Sequence, residues 1–135
     1  KTAGARRATP VPGKNCQVLV VEDDPTVLHA MALALRNLGC TVAEAECGHS
    51  ALAMLDAGLR PHVVIADYRL PGEWDGIETV ARIRDRVGPV PACVISGDVA
   101  KPIQEQATRE VGAFFSKPIR PQDLHQFLRA ACSGR

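Results

Sequence analysis

Five short apolar runs alternate with five longer amphipathic stretches along the chain from residue 17 onward. The apolar runs lie at 17–21, 41–45, 62–66, 92–95 and 113–115. The first, third and fourth are dense in Val and Ile, as expected of strands that are buried on both faces of a sheet. We therefore predict five short β-strands, each followed by a helix.

The stretches between the runs have the spacing of helices with one apolar face. In the first and last helices that face is formed by Val27, Met31, Leu35 and Leu38, and by Leu124, Phe127, Leu128 and Ala131. Asp24 before Pro25 fits an N-cap with proline at the first helical position, and Gly39 and Gly58 fit helix C-termini. Strict alternation of strand and helix predicts a parallel sheet with helices on both faces.

Polar residues stand where the predicted strands end. Glu22 and Asp23 follow the first strand, Asp67 the third, Ser96 the fourth and Lys117 the fifth. The carboxyl ends of parallel strands share one edge of the sheet, and ligands bind there in the crevice where strand order reverses. We therefore expect these five side chains to converge on one site.

This set of side chains predicts phosphoryl chemistry. Carboxylates brought close together need a cation, and a cluster of oxygen ligands suits Mg²⁺. The ammonium of Lys117 suits a phosphate oxygen, and Ser96 can donate one hydrogen bond. The carboxylate of Asp67 can then attack phosphorus and form an acyl phosphate.

Composition and charge limit the other classes of function. The chain has 135 residues, 46% of them hydrophobic and 23% charged, and a formal net charge of +1. These values predict one globular domain without direct nucleic-acid contact. No apolar run approaches the roughly 18 residues of a membrane span and no signal peptide is visible, so we expect a cytoplasmic domain without membrane contact.

The first residues differ in composition from the rest. Residues 1–14 contain four basic residues, no acid and no helical or strand periodicity. We predict a linker or tail over 1–14, a folded domain over 15–132 and a short C-terminal tail over 133–135.

The cysteines form no recognisable motif. There are five, Cys16, Cys40, Cys47, Cys93 and Cys132, with no Cys-x-x-Cys pair and no histidine at zinc spacing. Several lie in apolar stretches, where a free cysteine behaves as a small buried hydrophobic residue. We expect all five to be reduced and structural.

Five sequence fragments resemble the response-regulator receiver family. They are Val-Val-Glu-Asp-Asp-Pro at 20–25, Val-Ile-Ala-Asp-Tyr-Arg-Leu-Pro-Gly at 64–72, Asp-Gly at 75–76, Val-Ile-Ser-Gly-Asp at 94–98 and Phe-Phe-Ser-Lys-Pro at 114–118. Each fragment is weak alone, but their order and spacing together form a strong signal. The resemblance implies a flavodoxin-like (βα)5 fold, a three-layer sandwich whose five-stranded parallel sheet has the order 2-1-3-4-5.

The resemblance also implies the role of each acidic residue. Asp67 would be the phosphoacceptor, which takes a phosphoryl group from the phosphohistidine of a histidine kinase or a histidine phosphotransfer domain. Glu22 and Asp23 would hold Mg²⁺ or Mn²⁺ together with Asp67, and the backbone carbonyl of Arg69 would be a further metal ligand. Such a domain promotes its own phosphorylation and hydrolysis but is not a turnover enzyme for an outside substrate.

The remaining roles concern the switch. The hydroxyl of Ser96 would move toward the phosphoryl group, Lys117 would pair with the phosphorylated site, and Phe114 would turn inward as an aromatic switch. Pro118 fits the Lys-Pro pair that is typically joined by a cis peptide bond in this family.

Two residues at the mouth of the predicted site are candidates for tuning the phosphoryl lifetime. Arg69 lies two residues past Asp67, and Asp98 lies two residues past Ser96. We predict that Arg69 and Asp98 pair across the opening and hinder the attacking water.

The loop after the phosphoacceptor is one residue longer than the usual form of the family. This loop, with the Lys-Pro-Ile-Arg-Pro ending at 117–121, resembles receivers fused to the C-terminus of hybrid sensor histidine kinases. A stand-alone regulator stays open, as do the oligomeric state and the output. The loop also contains Trp74, for which packing onto the third helix and anchoring of a partner are both open.

Two other functions fit parts of the pattern. A receiver-like docking domain that works without phosphorylation would not need the full set of acids, hydroxyl and lysine. A haloacid-dehalogenase-type phosphatase would want a second acid two residues after its nucleophile, where this chain has Arg69. The receiver assignment explains more of the residues than either.

Overall fold

The computed structural model describes residues 16–97 and 99–132. Its strands are β1 (Gln17–Val21), β2 (Thr41–Ala45), β3 (Val63–Asp67), β4 (Ala92–Ser96) and β5 (Phe114–Ser116). Its helices are α1 (Pro25–Asn37), α2 (Gly48–Asp56), α3 (Gly76–Val87), α4 (Lys101–Glu110) and α5 (Pro121–Cys132). All ten predicted elements are present. The predicted tails at 1–14 and 133–135 lie outside the described residues.

The five strands form one parallel sheet in the order β2-β1-β3-β4-β5. This confirms the predicted order 2-1-3-4-5. The order reverses between β1 and β3, so the carboxyl ends of these two central strands flank the crevice at the reversal point.

The third, fourth and fifth strands each end one residue later than the apolar pattern indicated. Asp67 and Ser96 are therefore the last residues of β3 and β4, where we expected them to follow the strands. Both are buried, and Asp67 pairs in register with Ile95 of β4. A polar residue that continues the ladder cannot be distinguished from a loop residue by hydrophobicity alone.

The sheet separates two apolar cores. One face packs against α2, α3 and α4 through residues that include Leu19, Val64, Leu55, Ile83 and Ala107. The opposite face packs against α1 and α5 through residues that include Val18, Ile65, Leu35, Leu124 and Leu128. Every residue of β3 and β4 is buried, as the runs of Val and Ile predicted.

The predicted helix ends are confirmed. Asp24 caps α1, because its Oδ1 accepts hydrogen bonds from the backbone N–H of Thr26 at 2.9 Å and of Val27 at 3.4 Å. Gly39 and Gly58 follow α1 and α2 with φ of 93° and 111°, a left-handed conformation that favours glycine.

The C-terminal end of α4 is held by hydrogen bonds from an arginine of α3, a contact that the sequence did not reveal. Arg84 of α3 donates from Nη1 to the carbonyl of Glu110 at 3.0 Å and from Nη2 to that of Val111 at 2.7 Å, and its Nε reaches Val90. These bonds satisfy carbonyls that a helix end leaves unpaired. They help to explain why α4 forms although its apolar face is narrow.

None of the described helices has the length and hydropathy that a bilayer crossing requires. The longest, α1, has 13 residues.

The expectation that all five cysteines are reduced is wrong for two of them. A disulfide joins Cys16, directly before β1, to Cys132, the last residue of α5. Their Cα atoms lie 6.2 Å apart, within the range that disulfides span. The fold brings the two ends together over 116 residues of sequence, so no local spacing could indicate the pair.

Reduction of this disulfide is expected to destabilise the domain. Opening so large a loop restores chain entropy to the unfolded state, and the usual loss in the free energy of unfolding is roughly 2–4 kcal/mol. Urea denaturation with and without dithiothreitol measures this loss, and the Cys16→Ala/Cys132→Ala variant should not respond to the reductant. Alkylation of all five cysteines in the denatured, unreduced native chain would contradict the bond.

Candidate functional site

Glu22 lies buried at the end of β1. Its backbone N–H donates to the carbonyl of Ala45 at 2.9 Å, which extends the β1–β2 pairing by one residue. Its Oε2 accepts a hydrogen bond from the backbone N–H of Asp24 at 3.1 Å, and the residue is only 1% exposed. The carboxylate is thus held inside the sheet edge.

Asp67 and Lys117 meet Glu22 at this edge. Lys117 Nζ lies 3.0 Å from Asp67 Oδ2 and 2.9 Å from Glu22 Oε1, so one ammonium bridges two buried carboxylates. The backbone N–H of Lys117 donates to the carbonyl of Ser96 at 2.9 Å, which fixes the start of the β5–α5 connection. The Lys117–Pro118 peptide is cis, as the resemblance implied.

Burial and charge shift the pKa values of the pair that Lys117 forms with Glu22. Burial raises the pKa of the Glu22 carboxyl and the charge of Asp67 adds to this, while Lys117 and the N–H of Asp24 oppose it. Burial alone would lower the pKa of Lys117, but the carboxylates of Glu22 and Asp67 outweigh it and raise that pKa. Lys117 is therefore charged at neutral pH.

Three carboxylates at this edge can share one cation. One oxygen each from Glu22, Asp23 and Asp67 lie within 4.8 Å of one another. Glu22 Oε1 is buried and has no hydrogen-bond partner of suitable geometry among the described residues, although it lies at ion-pair distance from Lys117. A buried carboxylate oxygen without a well-aligned hydrogen bond, beside the exposed carboxylate of Asp23, fits a hard divalent cation such as Mg²⁺.

Ser96 and Phe114 occupy the side of the site toward β5. Ser96 is 2% exposed and pairs in register with Ser116, one residue before Lys117. Phe114 is half-buried in β5, and it borders a surface groove of about 420 Å³ together with residues of α4. Ser96 thus ends β4, the strand beside β3, and Phe114 begins β5, the strand that leads to Lys117; their roles stay predictions.

Arg69 is exposed two residues beyond Asp67, and its guanidinium lies 6.0 Å from the ring centroid of Tyr68. Asp98 lies outside the described residues, so the predicted pairing with Arg69 stays a prediction. The same holds for the role of the Arg69 carbonyl as a metal ligand.

The sequence did not reveal how closely α3 approaches the phosphoacceptor candidate. A Cβ atom on Gly76 would lie 2.3 Å from the backbone oxygen of Asp67, so only glycine fits there. The backbone N–H of Gly76 donates to the carbonyl of Tyr68 at 2.8 Å. The Asp75-Gly76 pair was noticed in the sequence as part of the resemblance. The contact of Gly76 with the backbone of Asp67 was not predicted.

The chain belongs to the response regulator receiver domain family, which it matches over residues 18–129. The alternation of strands and helices, the strand order and the acidic cluster with its lysine are the features on which this family assignment rests physically.

Individual relatives agree with the family. The chain is 32% identical over 117 residues to the positive alginate biosynthesis regulatory protein of Pseudomonas aeruginosa, and 34% identical over 118 residues to the response regulator protein TmoT of Ectopseudomonas mendocina. Each match covers 84% of this chain but only 46% and 51% of those proteins, so the chain spans about half the length of these relatives.

Solved structures show the same fold. A crystal structure described as that of a response regulator from Chloroflexus aurantiacus has a TM-score of 0.76 and 30% identity, and the match covers 87% of this chain and 98% of that one. A receiver domain from Clostridium thermocellum has a TM-score of 0.80 at 21% identity, with coverage of 88% and 95%.

Removal of the lysine is expected to destabilise the chain in the absence of divalent cations. Lys117→Met leaves two buried carboxylates without their counter-charge, which costs about 3 kcal/mol in the free energy of unfolding, the lower end of the usual range because Lys117 reaches solvent. Added Mg²⁺ should recover more stability in this variant than in the native chain. Thermal unfolding measures both effects.

Lys101→Met is the matched control, because Lys101 is an exposed lysine in the first turn of α4. It should unfold like the native chain with and without Mg²⁺. Equal stability of Lys117→Met and Lys101→Met would contradict the charge balance described for the site.

Proposed function

We propose that this receiver domain accepts a phosphoryl group on Asp67 from the phosphohistidine of a partner protein, in the presence of Mg²⁺ or Mn²⁺. The observation that carries the proposal is the bridge from Lys117 Nζ to the buried carboxylates of Asp67 and Glu22. A metal site alone would not require the ammonium, whereas transfer of an anionic phosphoryl group does.

In the proposed reaction a carboxylate oxygen of Asp67 attacks phosphorus and the phosphorus–nitrogen bond of the phosphohistidine breaks. The imidazole takes a proton from solvent at its other ring nitrogen and leaves as a neutral ring. Glu22 and Asp23, together with Asp67, would hold Mg²⁺, which neutralises charge on the transferred group. Lys117 would contact one phosphoryl oxygen. The same site then promotes hydrolysis of its own acyl phosphate, and no outside substrate is turned over.

The proposed output is a shift between two conformations. The hydroxyl of Ser96 moves toward the phosphoryl group and Phe114 turns inward, so the face formed by α4, β5 and α5 changes its partners. Support comes from the place of Phe114, which borders the groove at α4 and begins β5, the strand that leads directly to Lys117.

The surroundings of the domain in its full-length protein are a separate proposal. The loop after Asp67 and the Lys-Pro-Ile-Arg-Pro sequence favour the receiver of a hybrid sensor histidine kinase. The alternative is a stand-alone response regulator, a class that the name of the relative TmoT favours. The chemistry proposed for Asp67 is the same in both.

Labelling of Asp67 tests the proposed reaction. Incubation with acetyl phosphate or a phosphohistidine donor and Mg²⁺ should label the native chain, and EDTA should abolish the label. Asp67→Asn should lower labelling at least about 100-fold, because the amide cannot form the acyl phosphate. Mass spectrometry and acid-gel electrophoresis measure the label.

Asp85→Asn serves as the control, since Asp85 is an exposed carboxylate of α3 away from the cluster. It should be labelled like the native chain. Retention of the label in Asp67→Asn would overturn the assignment, and absence of any label in the native chain would favour a docking domain that works without phosphorylation.

An apolar groove beside the site is the proposed contact for the phosphodonor. It measures about 690 Å³ and begins at Lys117 and Pro118. Its walls are formed by α1 and the residue after it, the connection from β5 to α5 and the start of α5, and they include Val27, Ala30, Ala34, Leu38, Ile119 and Leu124. A helix of the donor that lies in this groove would bring its histidine to the rim of the Asp67 site.

A charge in the groove should separate protein donors from small ones. Ala34 is exposed on α1, so Ala34→Arg is expected to lower the rate of transfer from a phosphorylated histidine phosphotransfer domain at least about tenfold, by burying a charge against the donor. Labelling by acetyl phosphate should not change, because that donor needs no docking surface.

Ala53→Arg, at an exposed position of α2 outside the groove, should leave both rates unchanged. If Ala34→Arg loses labelling equally from acetyl phosphate and from the protein donor, the substitution has damaged the fold. If the protein donor labels Ala34→Arg as fast as the native chain, the groove is not its contact.

A further inference from the structure

Trp74 is packed between two helices at the end of the loop that follows Asp67. Its ring stacks on His49 of α2, with ring centroids 3.9 Å apart and an angle of 18° between the planes. The guanidinium of Arg82 in α3 lies 4.5 Å from its ring centroid. The tryptophan therefore contacts two different helices through its aromatic ring.

The backbone of α2 leaves space for this ring. A Cβ atom on Gly48 would lie 2.7 Å from Trp74 Cε3, so the ring lies directly on the first residue of α2. On the outer side, His49 Nε2 lies 3.1 Å from Glu73 Oε1, which adds a second contact between the loop and α2. Arg82 is itself held by Glu78 at 2.7 Å.

The loop begins after Asp67 and ends at Gly76, and its two ends are in contact. Gly76, two residues after Trp74, lies against the backbone oxygen of Asp67, and its N–H donates to the carbonyl of Tyr68. A shift of Trp74 would therefore move α3 at the point where it contacts the proposed phosphoacceptor. Arg69, whose carbonyl is predicted to be a further metal ligand, lies in this loop between Asp67 and Trp74.

We propose that Trp74 is a positioning residue for the metal and phosphoryl site, acting through the loop that joins Asp67 to α3; this inference rests on the proposed function. The stack on His49 and Gly48 holds the loop in the conformation that directs the backbone carbonyl of Arg69 toward the metal. Mg²⁺ demands near-ideal octahedral geometry, so a small displacement of one oxygen weakens its binding.

Two readouts test this role. Trp74→Ala should weaken Mg²⁺ binding roughly tenfold by calorimetry, the lower end of the effect of groups that orient metal ligands. Trp74→Phe, which keeps a ring on His49, should recover most of the affinity. In the native chain Trp74 is the only tryptophan, and its fluorescence should change on addition of Mg²⁺ but not in Asp23→Asn.

Phe127→Ala is the matched control. Phe127 is a half-buried aromatic residue of α5 that packs edge-on against Phe115, remote from the loop. It should lower thermal stability but leave Mg²⁺ affinity within about twofold of native, since it removes packing without orienting a ligand. If Trp74→Ala does not fold, Trp74→Leu takes its place with the same expected loss of affinity.

The outcomes separate the inference from the function on which it rests. If the native chain neither binds Mg²⁺ nor is labelled at Asp67, the proposed function is overturned, and the role of Trp74 with it. If the native chain binds Mg²⁺ and is labelled, but Trp74→Ala binds Mg²⁺ as tightly as the native chain, the positioning role alone is overturned. Equal weakening by Trp74→Ala and Phe127→Ala would do the same.

Discussion

The forced proximity of buried carboxylates at one edge of the sheet determines the rest of the site. Glu22 directly follows β1 and Asp67 ends β3, so the two cannot move apart without breaking the β1–β3 pairing. Their repulsion in a buried environment is met by a single ammonium, from Lys117. With the exposed carboxylate of Asp23 nearby, the cluster carries three acids against one base. That excess of negative charge suits a divalent cation first and, once the cation is bound, an anionic phosphoryl group.

Much of this site could be predicted because its parts are marked by local sequence. Polar residues stand at the carboxyl ends of the strands, and the parallel topology brings those ends together. The convergence of Glu22, Asp67 and Lys117 on one site could therefore be predicted from the sequence. Asp24 was correctly separated from the cluster as a helix cap, since an acid before Pro25 has a local reason to be there. The strand ends were missed by one residue because Asp67 and Ser96 continue the ladder although their side chains are polar.

The features that the sequence did not reveal all depend on contacts between distant segments. The disulfide from Cys16 to Cys132 and the bonds from Arg84 to the end of α4 join elements whose sequence separation carries no pattern. Trp74 was noticed, and packing onto α3 was one of the two alternatives for it. Its stack on the start of α2 depends on the absence of a side chain at Gly48, which no periodicity records.

The structure around Asp67 is held more firmly on the side of α2 and α3 than on the side of α4. A change at Asp67 should therefore displace one side more than the other. Toward α2 and α3, Gly76 lies on the Asp67 backbone and Trp74 holds the loop against α2. Toward α4, the N-cap residue Ala100 makes no capping hydrogen bond with its side chain, while Arg84 holds only the opposite end of that helix. A helix N-terminus that lacks a side-chain cap costs less to displace than a packed loop. Under the proposed function, a phosphoryl group on Asp67 would therefore displace the N-terminal end of α4 and the neighbouring Phe114 more readily than the loop that Trp74 holds.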